Sequence, residues 1–165
     1  EWECSVSTNA IDNQKIWAGL KLTNDQLVAT DADQAYFKFQ TDATNSEAFT
    51  DFTLLHFVHS IGGTDYISAL PITVAANTTY HLKVVIDGDR KATIFVNGQQ
   101  YNVTTTAGST GGTAVTAVAE GATVTKTAAL TDDVDFIPYI GIEAGAAAAE
   151  ALDVHYQAIN RIIFE

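Results

Sequence analysis

Two alternating runs meet at Asn97-Gly98, and this dipeptide constrains the fold more than any other part of the chain. Asn-Gly between period-two segments specifies a tight hairpin, because a type I′ turn needs φ > 0 at both central positions. Upstream, Tyr80, Leu82, Val84 and Ile86 form one apolar face. Asp87, Gly88, Asp89 and Arg90 make a turn, and Ala92, Ile94 and Val96 form the next apolar face. Beyond the hairpin the chain resumes as Gln99 to Val103. The spacing predicts a three-stranded antiparallel meander over residues 79–103.

The same period recurs elsewhere. Trp2, Cys4 and Val6 alternate with Glu3, Ser5 and Ser7. Ile16, Ala18, Leu20 and Leu22 alternate with Lys15, Trp17, Gly19 and Lys21, and Ala35, Phe37 and Phe39 with Tyr36, Lys38 and Gln40. These read as half-buried strands. Residues 51–59 (DFTLLHFVH) are apolar on both faces, which suits a central strand. Phe136 to Ile142 reads as another strand, and small residues 145–149 as a turn. The last strand runs from Leu152 to Ile163, alternating through Leu152, Val154 and Tyr156 on one face, with a break near Ala158 read as a bulge. No segment carries a helical period. About ten strands with little or no helix predict an all-β, antiparallel β-sandwich of the jelly-roll type.

Residues 104–131 depart from this pattern, being rich in Thr, Ala and Gly and nearly uncharged. Short alternating pieces at Ala114–Val118 and Ala122–Thr127 flank Glu120-Gly121. Without large side chains the stretch makes poor core. It is expected to be an insertion, either a weak hairpin or an excursion loop, that offers a contact surface to a neighbouring subunit. The chain as a whole, 165 residues, fits a single domain over 1–165.

Charge bounds the partners. Twenty acidic residues stand against eight basic ones, a net charge of −12. Phosphate-binding surfaces need clustered Lys and Arg, and the basic residues here are scattered, so nucleic acid is not an expected partner. The same balance disfavours an anionic membrane surface, and no apolar run approaches the ~18 residues of a membrane span. The lone Cys4 shares a strand face with Trp2 and Val6 and is expected to be a small buried hydrophobe. The chain opens in a strand-like pattern with neither a methionine nor a signal peptide, as a processed chain or a part of a longer one would.

Glycoside hydrolysis needs two carboxylates across the sugar. Glu1 and Glu3 share a strand face, but no third acid follows them. Calcium needs six to eight oxygen ligands. Asp31 with Asp33, Asp87 with Asp89, and Asp132 with Asp133 and Asp135 cluster in expected turns, where aspartate caps local backbone N–H groups. His56 and His59 fall on opposite faces of a strand, so they do not converge on zinc. No G-x-S-x-G occurs, and the paired glycines lack a strand–loop–helix context for phosphate. No catalytic residue, metal site or cofactor is assigned. Trp17, Tyr36, Tyr66 and Tyr101 lie opposite apolar faces or in loops. They are the candidates for stacking on a glycan or for contact with a partner, against the alternative that they pack within a second sheet.

The segment TYHLKVVIDGDRKATIFVNGQ (79–99) resembles a hallmark of concanavalin A-like, laminin-G-like jelly rolls, in which a strand, a D-G turn, a strand and V-N-G follow in order. Three further pieces, WECSVSTNAIDNQKIWAGL (2–20), AYFKFQTDA (35–43) and FIPYIGIEAGAAAAEALDVHYQAINRI (136–162), resemble a subset found in tailed-phage structural proteins. The likeness spans most of the chain outside 104–131. It implies a non-enzymatic virion component, a capsid decoration or head-fibre domain. Such a domain sits on the capsid surface, is homo-oligomeric as a dimer or trimer, and contacts the major capsid protein or other virion proteins. The alternative is a carbohydrate-binding, lectin-like module on a virion or a secreted, extracellular protein.

Overall fold

A computed structural model describes residues 1–23, 32–41, 51–108, 111–132, 134–145 and 149–160. Eleven strands pack as two sheets, and the described residues contain no helix. The strands are β1 (Trp2–Thr8), β2 (Gln14–Lys21), β3 (Gln34–Gln40), β4 (Leu54–Ile61), β5 (Thr64–Thr73), β6 (Tyr80–Ile86), β7 (Ala92–Val96), β8 (Gln99–Tyr101), β9 (Thr113–Ala114), β10 (Ile137–Ala144) and β11 (Leu152–Ile159). One sheet has the order β11-β1-β6-β7-β8 and the other β10-β2-β3-β4-β5-β9. Every pairing is antiparallel except β5 with β9. The architecture is an all-β sandwich.

The 79–103 meander forms as its turn chemistry requires. Asn97 and Gly98 both take positive φ, 51° and 81°. At the preceding turn Asp87 Oδ1 accepts the N–H groups of Asp89 and Lys91, and Arg90 takes φ 63°. Alternation then directs Leu82, Val84, Ile94 and Val96 inward, opposite Ile16, Ala18, Leu20, Ala35, Phe37, Phe39 and Phe57 of the second sheet. Trp2 and Cys4 complete this core from β1.

Three expectations are corrected. First, β2 and β3 are buried on both faces, not one. Trp17, Tyr36, Val58 and Ile67 form a second apolar cluster on the outer face of the six-stranded sheet, packed with Phe52 and Tyr139. Second, the bulge in β11 lies at His155, between partners of Ser5 and Val6, rather than near Ala158. The extra residue turns Tyr156 to the outer face, so Leu152, Val154 and Tyr156 do not form one face. The end of that expected strand, 161–163, lies outside the described residues, as do Asp31, Asp133 and most of the 145–149 turn.

Third, 104–131 is neither a hairpin nor a projecting loop. Its two alternating pieces do not pair with each other. Thr113 and Ala114 add to β5 as β9, and Val115 N–H bonds Ala69. Ala117 bridges Tyr101, and Val118 N–H reaches Gln100. Val103 N–H then bonds Thr125, Thr127 N–H bonds Ala92, and Leu130 N–H bonds Arg90. The segment thus crosses from the β5 edge of one sheet to the β8 and β7 edges of the other and closes that side of the sandwich. Small residues suit this work, because the contribution is backbone hydrogen bonds at close approach.

Candidate interaction surfaces

The four aromatic candidates part company. Trp17 and Tyr36 come together on the outer face of the six-stranded sheet, but only 7% and 4% exposed. Tyr101 points into the main core at 9%. Tyr66 is half-buried and stacks on His59, with ring centroids 4.7 Å apart and planes 8° from parallel. A buried ring has no free face for a sugar, so Trp17, Tyr36 and Tyr101 serve packing.

Around Trp17 and Tyr36 the sheet buries polar groups that tie strands together. Lys15 pairs with Glu143 at 3.0 Å, joining β2 to β10. Lys21 lies over the Tyr139 ring, 4.5 Å from its centroid. Gln34 donates to Ser60 Oγ, which donates to Asp65, a relay across β3, β4 and β5. Burial, with Lys15 adding to it, lowers Lys38 to a pKa of about 7. Burial also lowers His56 and His59 to about 4, so both are neutral at pH 7. They occupy opposite faces of β4, His56 facing out beside Gly112 and His59 facing in beside Phe57.

The aspartates act locally. Asp87 Oδ2 accepts from Lys126 Nζ at 2.8 Å, and this bond leads the causes that hold the carboxyl below its usual range. Asp33 Oδ1 accepts from Gly62 N–H and from the Thr131 hydroxyl. Asp132 pairs with Arg90 at 3.1 Å. Among the described residues no three His, Cys, Asp or Glu side chains converge as a metal site would require.

Two surfaces of the described residues offer side chains to a partner. The first is the side of the sandwich opposite the 104–131 closure, where β10 and β11 are the sheet edges. The exposed large apolar side chains of the described residues are Ile11, Ile137, Val154, Tyr156 and Ile159. Ile137 lies on β10, and Val154, Tyr156 and Ile159 lie on β11. Ile11 sits in the turn whose Asn9 bonds Ala149 and Ala151, just before β11. All five therefore belong to one side.

The second is the outer face of the five-stranded sheet. A groove of about 310 Å³ is lined there by Glu3, His81, Lys83, Phe95, Gly98 and Tyr156. Cross-strand register builds it. Tyr156, Ser5 and His81 form one row, and Glu3, Lys83 and Phe95 the next. Ser5 is buried between His81 and Tyr156, whose ring centroids are 6.3 Å apart. Lys83 Nζ lies 2.8 Å from Glu1 and 3.9 Å from Glu3, and the Glu1 hydrogen bond raises its pKa. Period-two reading placed Glu3, Ser5 and Ser7 on an outer face but did not join them to Phe95 or Tyr156. That join needed the register of four strands.

No family model, curated protein or solved structure matches this chain.

Proposed function

We propose that the chain is a non-catalytic structural domain of a virus particle, a concanavalin A-like jelly roll that decorates a capsid or belongs to a head fibre. It works by protein–protein contact and by its own oligomerisation, as a dimer or trimer. The virion context rests on the resemblance of residues 2–20, 35–43, 79–99 and 136–162 to tailed-phage structural proteins. The contact mechanism rests on one observation: the exposed large apolar side chains gather on the β10/β11 side, with Ile159 59% and Val154 49% exposed. Apolar patches on the surface mark interaction sites. Edge strands add unpaired backbone groups that a partner strand can satisfy.

The chain's acidity fits this role, since a strong net charge keeps an exposed apolar side soluble before assembly. The test is the mass of the purified chain by light scattering after size exclusion. A dimer or trimer supports the proposal. A monomer at every concentration, with no binding to assembled capsid shells of a tailed phage, overturns it.

A further inference from the structure

We infer that the mouth between the two sheets, at the end of the sandwich where Trp2 begins β1, binds a small uncharged ligand that is mostly apolar and carries an oxygen acceptor. A cavity of about 620 Å³ lies there. Small-molecule sites run to roughly 300–1,000 Å³ and are lined mainly by apolar side chains with a few polar groups. Both sheets build this one. Trp2, Val85, Ile86 and Ile159 come from β1, β6 and β11, Leu20 comes from β2, and Phe136 stands just before β10. The inference goes beyond the reading of protein contacts, because the site is a recess between the sheets, although Ile159 belongs to both.

Trp2 carries the argument. Its side chain is 0% exposed and part of the main core, yet it lines this cavity, and its Nε1 has no hydrogen-bond partner. A buried indole N–H usually finds an acceptor, because a donor left unmet away from water is costly. The surroundings supply none. On β1, Trp2 stands between Val84 of β6 and Ile159 of β11, and Leu20 and Phe136 line the same cavity. These side chains are all hydrocarbon. A ligand oxygen supplies the missing acceptor, and the rest of the ligand meets the apolar walls.

Charge sets the class. Among the described residues no Lys, Arg or His lines the cavity, so an anionic head group finds no cation. The two carboxylates that line it, Glu1 and Asp87, are each held by a lysine at 2.8 Å, Lys83 and Lys126. They offer a cationic head group no unpaired counter-charge. An apolar side chain of a partner protein would fill volume but bring no acceptor to the indole. The wall beside the cavity is fixed, since Glu1 and Asn160 exchange two backbone hydrogen bonds of 2.8 Å at the ends of β1 and β11.

The indole N–H resonances of the full chain test the site, since only Trp2 and Trp17 carry them and Trp17→Phe assigns the pair. Decan-2-one is the neutral probe and decanoate the anionic one of like length. The ketone is expected to move the Trp2 signal downfield in a saturable way and to leave the Trp17 signal in place. Decanoate is expected to bind at least about tenfold more weakly, since its charge would be buried unpaired. Trp2→Phe keeps a ring but removes the donor, and is expected to weaken the ketone about fivefold, as followed by the backbone signals of Gly88 and Ile159. Thermal melting shows that the variant folds. Three results overturn the site: no saturable shift of the Trp2 signal, equal shifts of both indoles, or undiminished ketone binding by folded Trp2→Phe. The wild-type titration decides alone if Trp2→Phe does not fold. None of these results alters the oligomer mass, and hence the reading of protein contacts.

Discussion

Ala92 and Thr127 exchange two hydrogen bonds: the Ala92 N–H donates to Thr127 Oγ1 at 2.8 Å, and the Thr127 N–H donates to the Ala92 carbonyl at 3.1 Å. One threonine thus supplies, with its hydroxyl and its amide, what a neighbouring strand would supply to β7. It does so where β8 has already ended, since β8 pairs only Ile94 to Val96. Asn102 makes a similar staple nearby. Its side-chain amide donates to Thr116 Oγ1, and its oxygen accepts the Thr125 N–H. The Thr104 N–H adds a bond to Ser68 Oγ of the other sheet. One side of the sandwich is sealed by these bonds, and the apolar residues at the other side stay open.

Removing the Thr127 hydroxyl tests the seal. Thr127→Val keeps the shape but strands the buried Ala92 N–H, which costs about 1–3 kcal/mol. Thr123→Val, at an exposed position of the same segment, stays within about 0.5 kcal/mol. Urea denaturation of both variants measures the difference, and equal midpoints contradict the seal.

Of the two strand glycines in the six-stranded sheet, Gly19 has the tighter surroundings. A Cβ there would lie 2.4 Å from Tyr36 Cα and 2.5 Å from the Ala35 carbonyl oxygen, both backbone atoms. Gly19→Ala is therefore expected to cost about 3 kcal/mol, the upper part of the range for overpacking. At Gly141 the obstruction is only the movable Tyr139 ring, so Gly141→Ala costs less. Melting temperatures of the two variants order them.

Stability should fall with acid. An unfolded histidine takes up a proton below pH 6.5, but buried His56 and His59 resist it until about pH 4. Their contribution is full above pH 6.5 and is lost as pH falls from 6.5 to 4. Each contributes about 3 kcal/mol across that window. His59→Phe keeps a ring against Tyr66 and should flatten part of the slope. Chemical denaturation at stepped pH measures it, and an unchanged slope contradicts the assignment.

The thiol of Cys4 should be inert in the folded chain. Burial pushes its pKa up to about 12, so almost no thiolate exists at pH 8. A disulfide-exchange reagent is expected to label Cys4 only at the rate of global unfolding. Fast labelling of the native chain would show that β1 opens locally.

The parts of this fold that were legible in the sequence are those where side-chain size alternates. The 79–103 meander, the inward face of Trp2, Cys4 and Val6, and the central place of β4 all follow from period two and turn residues. The 104–131 closure was illegible because it works through backbone bonds of small residues, which leave no apolar period. The buried outer face of the six-stranded sheet was misread for the opposite reason. Lys15, Lys21 and Lys38 look like a solvated face, yet they are buried. At the groove, Glu3 was visible as an outer-face residue, but Tyr156 was put on the wrong face because one bulge residue shifts the alternation.

The central claim is that the β10/β11 side mediates assembly. Sedimentation velocity of the wild-type chain beside an Ile137→Lys/Ile159→Lys variant tests it most directly, since both positions are exposed and the charges should leave folding intact. The expected result is a wild-type dimer or trimer and a folded monomeric variant. A variant that assembles like the wild type, or a wild-type chain that stays monomeric throughout, would contradict it.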